Sequence, residues 1–317
     1  MRKHLLEYLD KGESGTVRGL RIMVEYFYAL EQLRVVLRPD VKVVSVFGSA
    51  RLKPDDREYK TAKLLGRALY ESGFAVVTGA SNGVMQAANE GVYDGILSDL
   101  QQVYKNKTLD FIKETAEFKR KLGDYSLGLK ISLPFEKEPN PYLGVMATFH
   151  YFMVRKFFFA KISSAFIACE GGWGTRDELF EIMTLVQTGK APLMPIVYIS
   201  PTPMHMQNDI NYAVKKGHIA PEDKKLVNVV TSFKQAIRIL NRFYRYVNYI
   251  SYDKMPHITV YLKKDLSEAQ KTKLQKTVVE KYPSVFTGGV RFFKNRFELR
   301  SYVHKSYGIL RCLIDSL

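Results

Sequence analysis

Ala165-Phe166-Ile167-Ala168-Cys169-Glu170-Gly171-Gly172-Trp173-Gly174-Thr175-Arg176-Asp177-Glu178 reads from left to right as a strand, a glycine turn and the start of a helix. The apolar run 165–169 has the length of a buried strand, and Leu179, Ile182, Met183 and Val186 then recur at helical spacing. Gly171, Gly172 and Gly174 lack Cβ atoms, so the turn can be tight and a ligand can approach the backbone. The first N–H groups of the helix have no intrahelical partner, and the helix dipole places partial positive charge among them. Such a place binds phosphate. Thr175 adds a hydroxyl, and Glu178 follows one helical turn further on. The same residues also suit a plain glycine turn whose carboxylate serves the helix dipole.

Upstream, residues about 17–37 read as a helix with Leu20, Met23, Val24, Tyr26, Phe27, Leu30 and Leu33 as its apolar stripe. Val43–Phe47 reads as a buried strand ending in Gly48-Ser49-Ala50. Asp56–Glu71 reads as an amphipathic helix ended by Gly73. Phe74–Thr78 is a second strand, followed by Gly79-Ala80-Ser81-Asn82-Gly83 and a helix with Val84, Ala87, Ala88 and Val92. Residues 98–123 are charged and helical in pattern, and read as an insertion. Leu127–Leu133 reads as a strand and Thr148–Ile162 as one strongly apolar helix. Leu193–Ile199 is a further strand, and Asn208–Lys216 and Ser232–Tyr246 are helices.

Strands alternating with helices imply an α/β fold: a Rossmann-like, doubly wound parallel sheet with helices on both faces. Ligands bind beyond the carboxyl ends of such strands. The turns at 48–50, 79–83 and 171–174 are therefore expected to converge on one crevice. Past about residue 247 the pattern changes to strands at 257–262, 289–293 and 298–303 around a helix at 266–281, a small α+β appendage. The expected organisation is an N-terminal helical segment, 1–38, a nucleotide-binding catalytic domain, 39–247, and the basic appendage, 251–317. A chain ending near Tyr246 is expected to keep some hydrolysis if it folds.

The 317 residues carry a formal net charge of +16 and are 46% hydrophobic, enough for a sizeable core. The charge suits anionic ligands, or simply a soluble Lys-rich surface. The appendage has 13 Lys/Arg against 6 Asp/Glu, a net +7. No basic block with interleaved aromatics reads as a nucleic-acid module, so nucleic acid is not an expected partner. The apolar runs are too short for a membrane span, and the N-terminus has no apolar signal core. Two cysteines, Cys169 and Cys312, form no disulfide scaffold or zinc spacing, which suits a reducing cytoplasm.

Taken together, these residues resemble the Lonely Guy (LOG) family of nucleoside 5′-monophosphate phosphoribohydrolases, long labelled lysine decarboxylase-like. Its signature is Pro-Gly-Gly-x-Gly-Thr-x-x-Glu preceded by an Arg-Lys pair on a helix, here Arg155-Lys156. The match continues through Val77-Thr78-Gly79, Ala87-Ala88-Asn89-Glu90-Gly91, Leu133-Pro134-Phe135-Glu136, Pro139-Asn140-Pro141 and Phe149-His150-Tyr151-Phe152. It covers about residues 40–245 and is most like the longer bacterial members. Three positions depart from the pattern. Glu170 stands where the family has proline, and turns either toward the phosphate loop or to solvent. Ala80-Ser81-Asn82 stands for a glycine-rich stretch, and Trp173 for a smaller residue.

The resemblance implies hydrolysis of an N-glycosidic bond to free base and ribose 5-phosphate, with Glu178 and Arg155 as catalytic residues. Gly171, Gly172, Trp173, Gly174 and Thr175 are expected to hold the 5′-phosphate. Gly48, Ser49, Gly79, Ser81, Asn82 and Gly83 are expected to border the nucleotide, with Asn89, Glu136 and Lys156 as lesser candidates. Arg155 sits on so apolar a helix that an anionic partner is expected for it. No metal or organic cofactor is expected; a decarboxylase would need pyridoxal phosphate and a Schiff-base lysine, for which there is no context. A homodimer through the 148–162 helix is expected. The alternative from another class is a nucleotide-binding sensor or carrier on the same fold, with little or no hydrolysis; a third, weaker one is nucleic-acid binding by the basic appendage, 251–317.

Overall fold

The computed structural model describes residues 15–133, 138–303 and 307–317. The first fourteen residues, which begin the expected N-terminal segment, and Glu136 lie outside the described residues. In chain order the elements are α1 (Gly15–Val36), β1 (Lys42–Phe47), α2 (Arg57–Glu71), β2 (Phe74–Thr78), α3 (Val84–Val103), α4 (Leu109–Glu114), α5 (Ala116–Tyr125), β3 (Ser126–Ile131), β4 (Val145–Phe149) and α6 (Phe152–Ile162). They continue with β5 (Ser163–Cys169), α7 (Trp173–Gln187), β6 (Ile196–Ile199), α8 (Met204–Lys215), β7 (Val227–Val230) and α9 (Phe233–Phe243). The seven strands form one parallel sheet in the order β4-β3-β2-β1-β5-β6-β7, the Rossmann-like α/β architecture expected from the alternation. Sheets of this kind are covered on both faces, which is why β1, β2 and β5 read as unbroken apolar runs. The order turns back between β1 and β5, and ligands of open α/β sheets bind at such a switch point.

Contacts divide the chain into two compact units, 1–43 with 50–163 and 44–49 with 164–317. In the first unit α2 and α3 cross at glycines. A Cβ at Gly66 would strike the Ala88 carbonyl, and one at Gly91 would stand 2.6 Å from Arg67 N. Lys63 bridges Glu90 (2.7 Å) and Asp94 (2.8 Å) over the same crossing. Three of the five residues in Ala87-Ala88-Asn89-Glu90-Gly91 thus serve helix packing.

The expected helix over 148–162 is in fact a strand and a shorter helix. Val145-Met146-Ala147-Thr148-Phe149 is β4, which pairs with β3 at the sheet edge; Ala147 and Phe149 are buried while Met146 and Thr148 face out. The period of two was hidden because outward Met146 is as apolar as inward Ala147, and a further apolar stretch, Tyr151–Val154, follows at once. Glu25 of α1 fixes the entry to that helix, its carboxylate accepting from His150 N (2.8 Å) and Tyr151 N (3.1 Å). Likewise the stretch 98–123 is part of the unit's core. Thr108 and Thr115 cap α4 and α5, and Ile112 and Phe118 are buried.

In the second unit β8 (Val247–Lys254), β9 (His257–Leu262), α10 (Glu268–Lys276), β10 (Val290–Phe293), β11 (Arg296–Leu299) and α11 (Tyr307–Asp315) follow. The strands form an antiparallel sheet in the order β10-β11-β9-β8. β7, β8 and α11 were not evident in the sequence. α11 packs back against α7, α9 and the turn at Pro221–Lys225. Tyr252 accepts from Leu193 N (3.0 Å), and its ring meets Tyr307 edge-on. These contacts tie the C-terminal segment to the elements that carry the glycine loop. Ile309, Leu310, Leu313 and Ile314 of α11 are all buried. At about 1.5–3 kcal/mol each, their burial approaches the whole stability of a domain, about 5–15 kcal/mol. A chain ending at Val303 is therefore expected to lose its cooperative thermal transition in calorimetry; a melting temperature within a few degrees of the full chain's would refute this.

Candidate functional site

β5 delivers the chain to Glu170, and α7 starts three residues later with Gly172 as its N-cap. Its N-cap is a glycine, which has no side chain to cap the helix, and its first turn holds no acidic residue, an arrangement that suits an external anion. The loop is seated on the end of β1, where Ser49 N donates to the Glu170 carbonyl (3.0 Å). A Cβ at Gly171 would collide with the Thr175 side chain and stand 2.9 Å from Ser49 N. Gly172 and Gly174 instead have open space where a Cβ would be. Gly171 is thus required for packing, while Gly172 and Gly174 leave the backbone approachable. Thr175 is buried behind them, Glu178 is 5% exposed one turn on, and Trp173 is 88% exposed at the first helical position. The second unit therefore brings together Gly48, Ser49, Gly171, Gly172, Trp173, Gly174, Thr175 and Glu178.

Glu170 points neither at the glycine loop nor simply at solvent. Its Oε1 accepts hydrogen bonds from the hydroxyls of Ser200 and Thr202, the latter at 3.1 Å, and Thr202 N donates to Ser200 Oγ (2.9 Å). The charge that replaces the family's proline is spent on the turn after β6. Ser200 and Thr202 had no motif to announce them; the topology, which sets β6 beside β5, supplies them. Burial, and secondarily Glu170, push the Cys169 thiol up to about 12, so it stays protonated at neutral pH.

The first unit holds the other candidates. Gly79, Ser81, Asn82 and Gly83 form the turn after β2, with Gly79 and Gly83 buried and Asn82 exposed. Ala80 sits at φ 61°, a left-handed conformation that disfavours any residue with a Cβ, at the position where the family has glycine. A fully buried network holds it there. Thr78 Oγ1 donates to Asn89 Oδ1 (2.7 Å), and Ala80 N donates to Thr78 Oγ1 (3.1 Å). Asn140 Nδ2 donates to Asn89 Oδ1 (3.2 Å) and Asn140 N to the Ala80 carbonyl (3.0 Å). Asn89 Nδ2 donates to Ser126 Oγ (2.9 Å). Asn89 is 0% exposed, so it shapes the turn and does not face a ligand directly. Arg155 and Lys156 lie on α6. The Arg155 guanidinium is 5.2 Å from the Phe152 ring centroid and 5.8 Å from that of Phe159, so two aromatic faces on its own helix help to carry its burial.

Comparison with known proteins agrees with this geometry. Residues 41–99 match the family described as SLOG cluster4, and residues 109–240 match the family described as possible lysine decarboxylase. These two matched segments are the ones that carry the LOG-type motifs. A bifunctional cytokinin biosynthesis protein from Fusarium pseudograminearum is 22% identical over 227 residues; the match takes in 71% of this chain and only 45% of that protein. The chain thus spans less than half the length of that relative. Among solved structures, the molybdenum cofactor carrier protein of Chlamydomonas reinhardtii is 17% identical, with a TM-score of 0.42 over 64% of this chain and 97% of its own. The molybdenum cofactor binding protein of Rippkaea orientalis is 17% identical, with a TM-score of 0.40 over 63% of this chain and 96% of its own. Among the described residues no helix is long and apolar enough to cross a membrane, and no group of three His, Cys, Asp or Glu side chains is placed to hold a metal ion.

The two kinds of glycine separate in a simple experiment. Gly171→Ala is expected to destabilise the fold by about 2 kcal/mol or more, because backbone and Thr175 must move, whereas Gly172→Ala should cost under about 0.5 kcal/mol. Equal melting temperatures for the two variants would show that the loop is not seated as described.

Proposed function

We propose that this chain hydrolyses the N-glycosidic bond of a nucleoside 5′-monophosphate, giving free base and ribose 5-phosphate. The observation that carries the reading is the glycine-lined start of α7 at the sheet's switch point, with a buried carboxylate, Glu178, one turn behind it. The helix end with Gly172, Trp173, Gly174 and Thr175 receives the 5′-phosphate. Glu178 then faces the ribose, where positive charge develops as the bond to the base lengthens. Its carboxylate stabilises that charge and takes a proton from the attacking water. Gly48 and Ser49 border the nucleotide. Arg155 fills the role that the family gives it, a cation for the phosphate or the departing base. In the other unit, Asn89 holds the turn from Gly79 to Gly83 in shape. No metal is needed for these steps.

Glu178→Gln keeps shape and removes charge. It is expected to lower turnover by about 10²-fold or more with little change in nucleotide affinity. Arg155→Ala should weaken both, by about 1.5–3 kcal/mol. The assay scores free base and ribose 5-phosphate across a panel of purine, pyrimidine and N6-modified adenine nucleotides. Full turnover by Glu178→Gln would remove Glu178 from the reaction. Tight nucleotide binding by the wild-type chain without product would favour the carrier or sensor reading.

The same proposal includes a homodimer. Leu20, Met23, Val24 and Phe27 of α1 and Phe152, Met153 and Phe157 of α6 are exposed within one unit, where Tyr26 and Phe157 meet at 5.4 Å. So large an apolar surface is uncommon on a monomer. Light scattering at micromolar concentration should give at least twice the chain mass, falling to one chain mass in Phe157→Lys; a monomeric wild type would refute the dimer.

A further inference from the structure

We propose that the solvent face of the C-terminal antiparallel sheet binds single-stranded nucleic acid by base stacking. The cross-strand register places Tyr249 opposite Tyr261, Tyr261 opposite Arg296, and Arg296 opposite Phe293. Side chains alternate along a strand, so these four residues form one row across a single face. The Tyr249 and Tyr261 rings stack at 4.2 Å between centroids, 14° from parallel. At the other end the Arg296 guanidinium lies 4.7 Å from the Phe293 ring centroid. The row thus runs aromatic, aromatic, cation, aromatic.

Both ends of the row stand on edge strands, β8 and β10, and both end residues are exposed, Tyr249 by 51% and Phe293 by 37%. On the opposite face Ile250, Val260 and Phe297 are buried, and Phe292 on the edge strand is half-buried. The outward-facing aromatics are therefore not core residues left uncovered by a frayed sheet. They form an ordered stack whose outer ring can be extended by another flat π system. Every nucleobase has such a face, and stacking on an aromatic side chain holds it without regard to sequence.

The surrounding charge selects the partner. Glu298 and Arg291 form part of the next row on this face, and Arg300 follows Glu298 two positions on; Arg296, Arg291 and Arg300 give three cations against two carboxylates, Glu298 and the Asp253 that acts on Tyr249. The module from 251 to 317 as a whole is net +7. A peptide or an apolar partner gains nothing from that excess, while a phosphate backbone gains at each residue. Nothing contiguous announces this face in the sequence, because its row draws one residue from each of four strands. It stands apart from the glycine loop in both chemistry and element, so its occupancy and the hydrolysis proposed above succeed or fail separately.

The test is fluorescence anisotropy of the full chain with a labelled single-stranded oligonucleotide of about 12 nucleotides at low salt. Binding should weaken steeply with added salt and exceed that of a duplex of the same length. Tyr249→Ala should weaken it by roughly 5- to 100-fold, the loss of one base stack. Arg291→Gln should lower affinity and reduce the salt slope by about 1. Both residues are exposed, so circular dichroism and thermal melting of the variants should match the wild type. Three results would each overturn the proposal: no binding at low salt, binding indifferent to both substitutions, and displacement of the strand by a nucleoside monophosphate alone, which would put it at the glycine loop.

Discussion

The close approach of Thr175 and Ser49 to Gly171 is the constraint on which the second unit's site depends. The hydrogen bond from Ser49 N to the Glu170 carbonyl ties the end of β1 to the end of β5. With those two strand ends joined, α7 can begin at once, and only a residue without a Cβ fits between them. The helix therefore starts at the carboxyl ends of two central strands, with a glycine N-cap and open space beside Gly172 and Gly174. Thr175 and Glu178 are buried as consequences of the same geometry, since they lie on the side of the first turns that faces inward.

Charge around this loop is handled locally. Glu170 would oppose an anion if it were turned to the helix end, yet Ser200 and Thr202 hold its carboxylate at the end of β6. Arg155 would be costly on an apolar helix, and the Phe152 and Phe159 ring centroids lie 5.2 Å and 5.8 Å from its guanidinium. Asn89 shows the same economy in the first unit, where one buried amide serves Thr78, Ser126 and Asn140 and thereby holds Ala80 in a left-handed conformation. Strained turns persist only where their surroundings over-determine them, and this one is fully hydrogen-bonded.

Two regions lie outside the segments matched to the family, and both are more than appendages. α1 supplies Glu25, which caps the entry to α6, and leaves an apolar face beside that helix. The C-terminal segment returns α11 to the side of α7 and α9, so the last residues of the chain complete the core of the unit that carries the glycine loop. Its antiparallel sheet buries one face and leaves the other with an ordered row of aromatics and arginine.

The sequence by itself determined the alternation of strands and helices, the glycine loop and its place between β5 and α7. These are local properties: hydrophobic period, turn chemistry and the exposed donors at a helix start are all encoded within a dozen residues. It also determined which side chains are candidates, because the family pattern is carried by contiguous motifs. Tertiary structure alone decided the rest. That Thr148 and Phe149 end a strand depends on β3 lying alongside, since an unbroken apolar run has no period to read. That Glu170 serves Ser200, that Asn89 is a strut, and that α11 belongs to the core depend on residues about thirty or more positions distant. The aromatic row on the last sheet depends on the register of four strands, and register arises from pairing between segments, which no single segment contains.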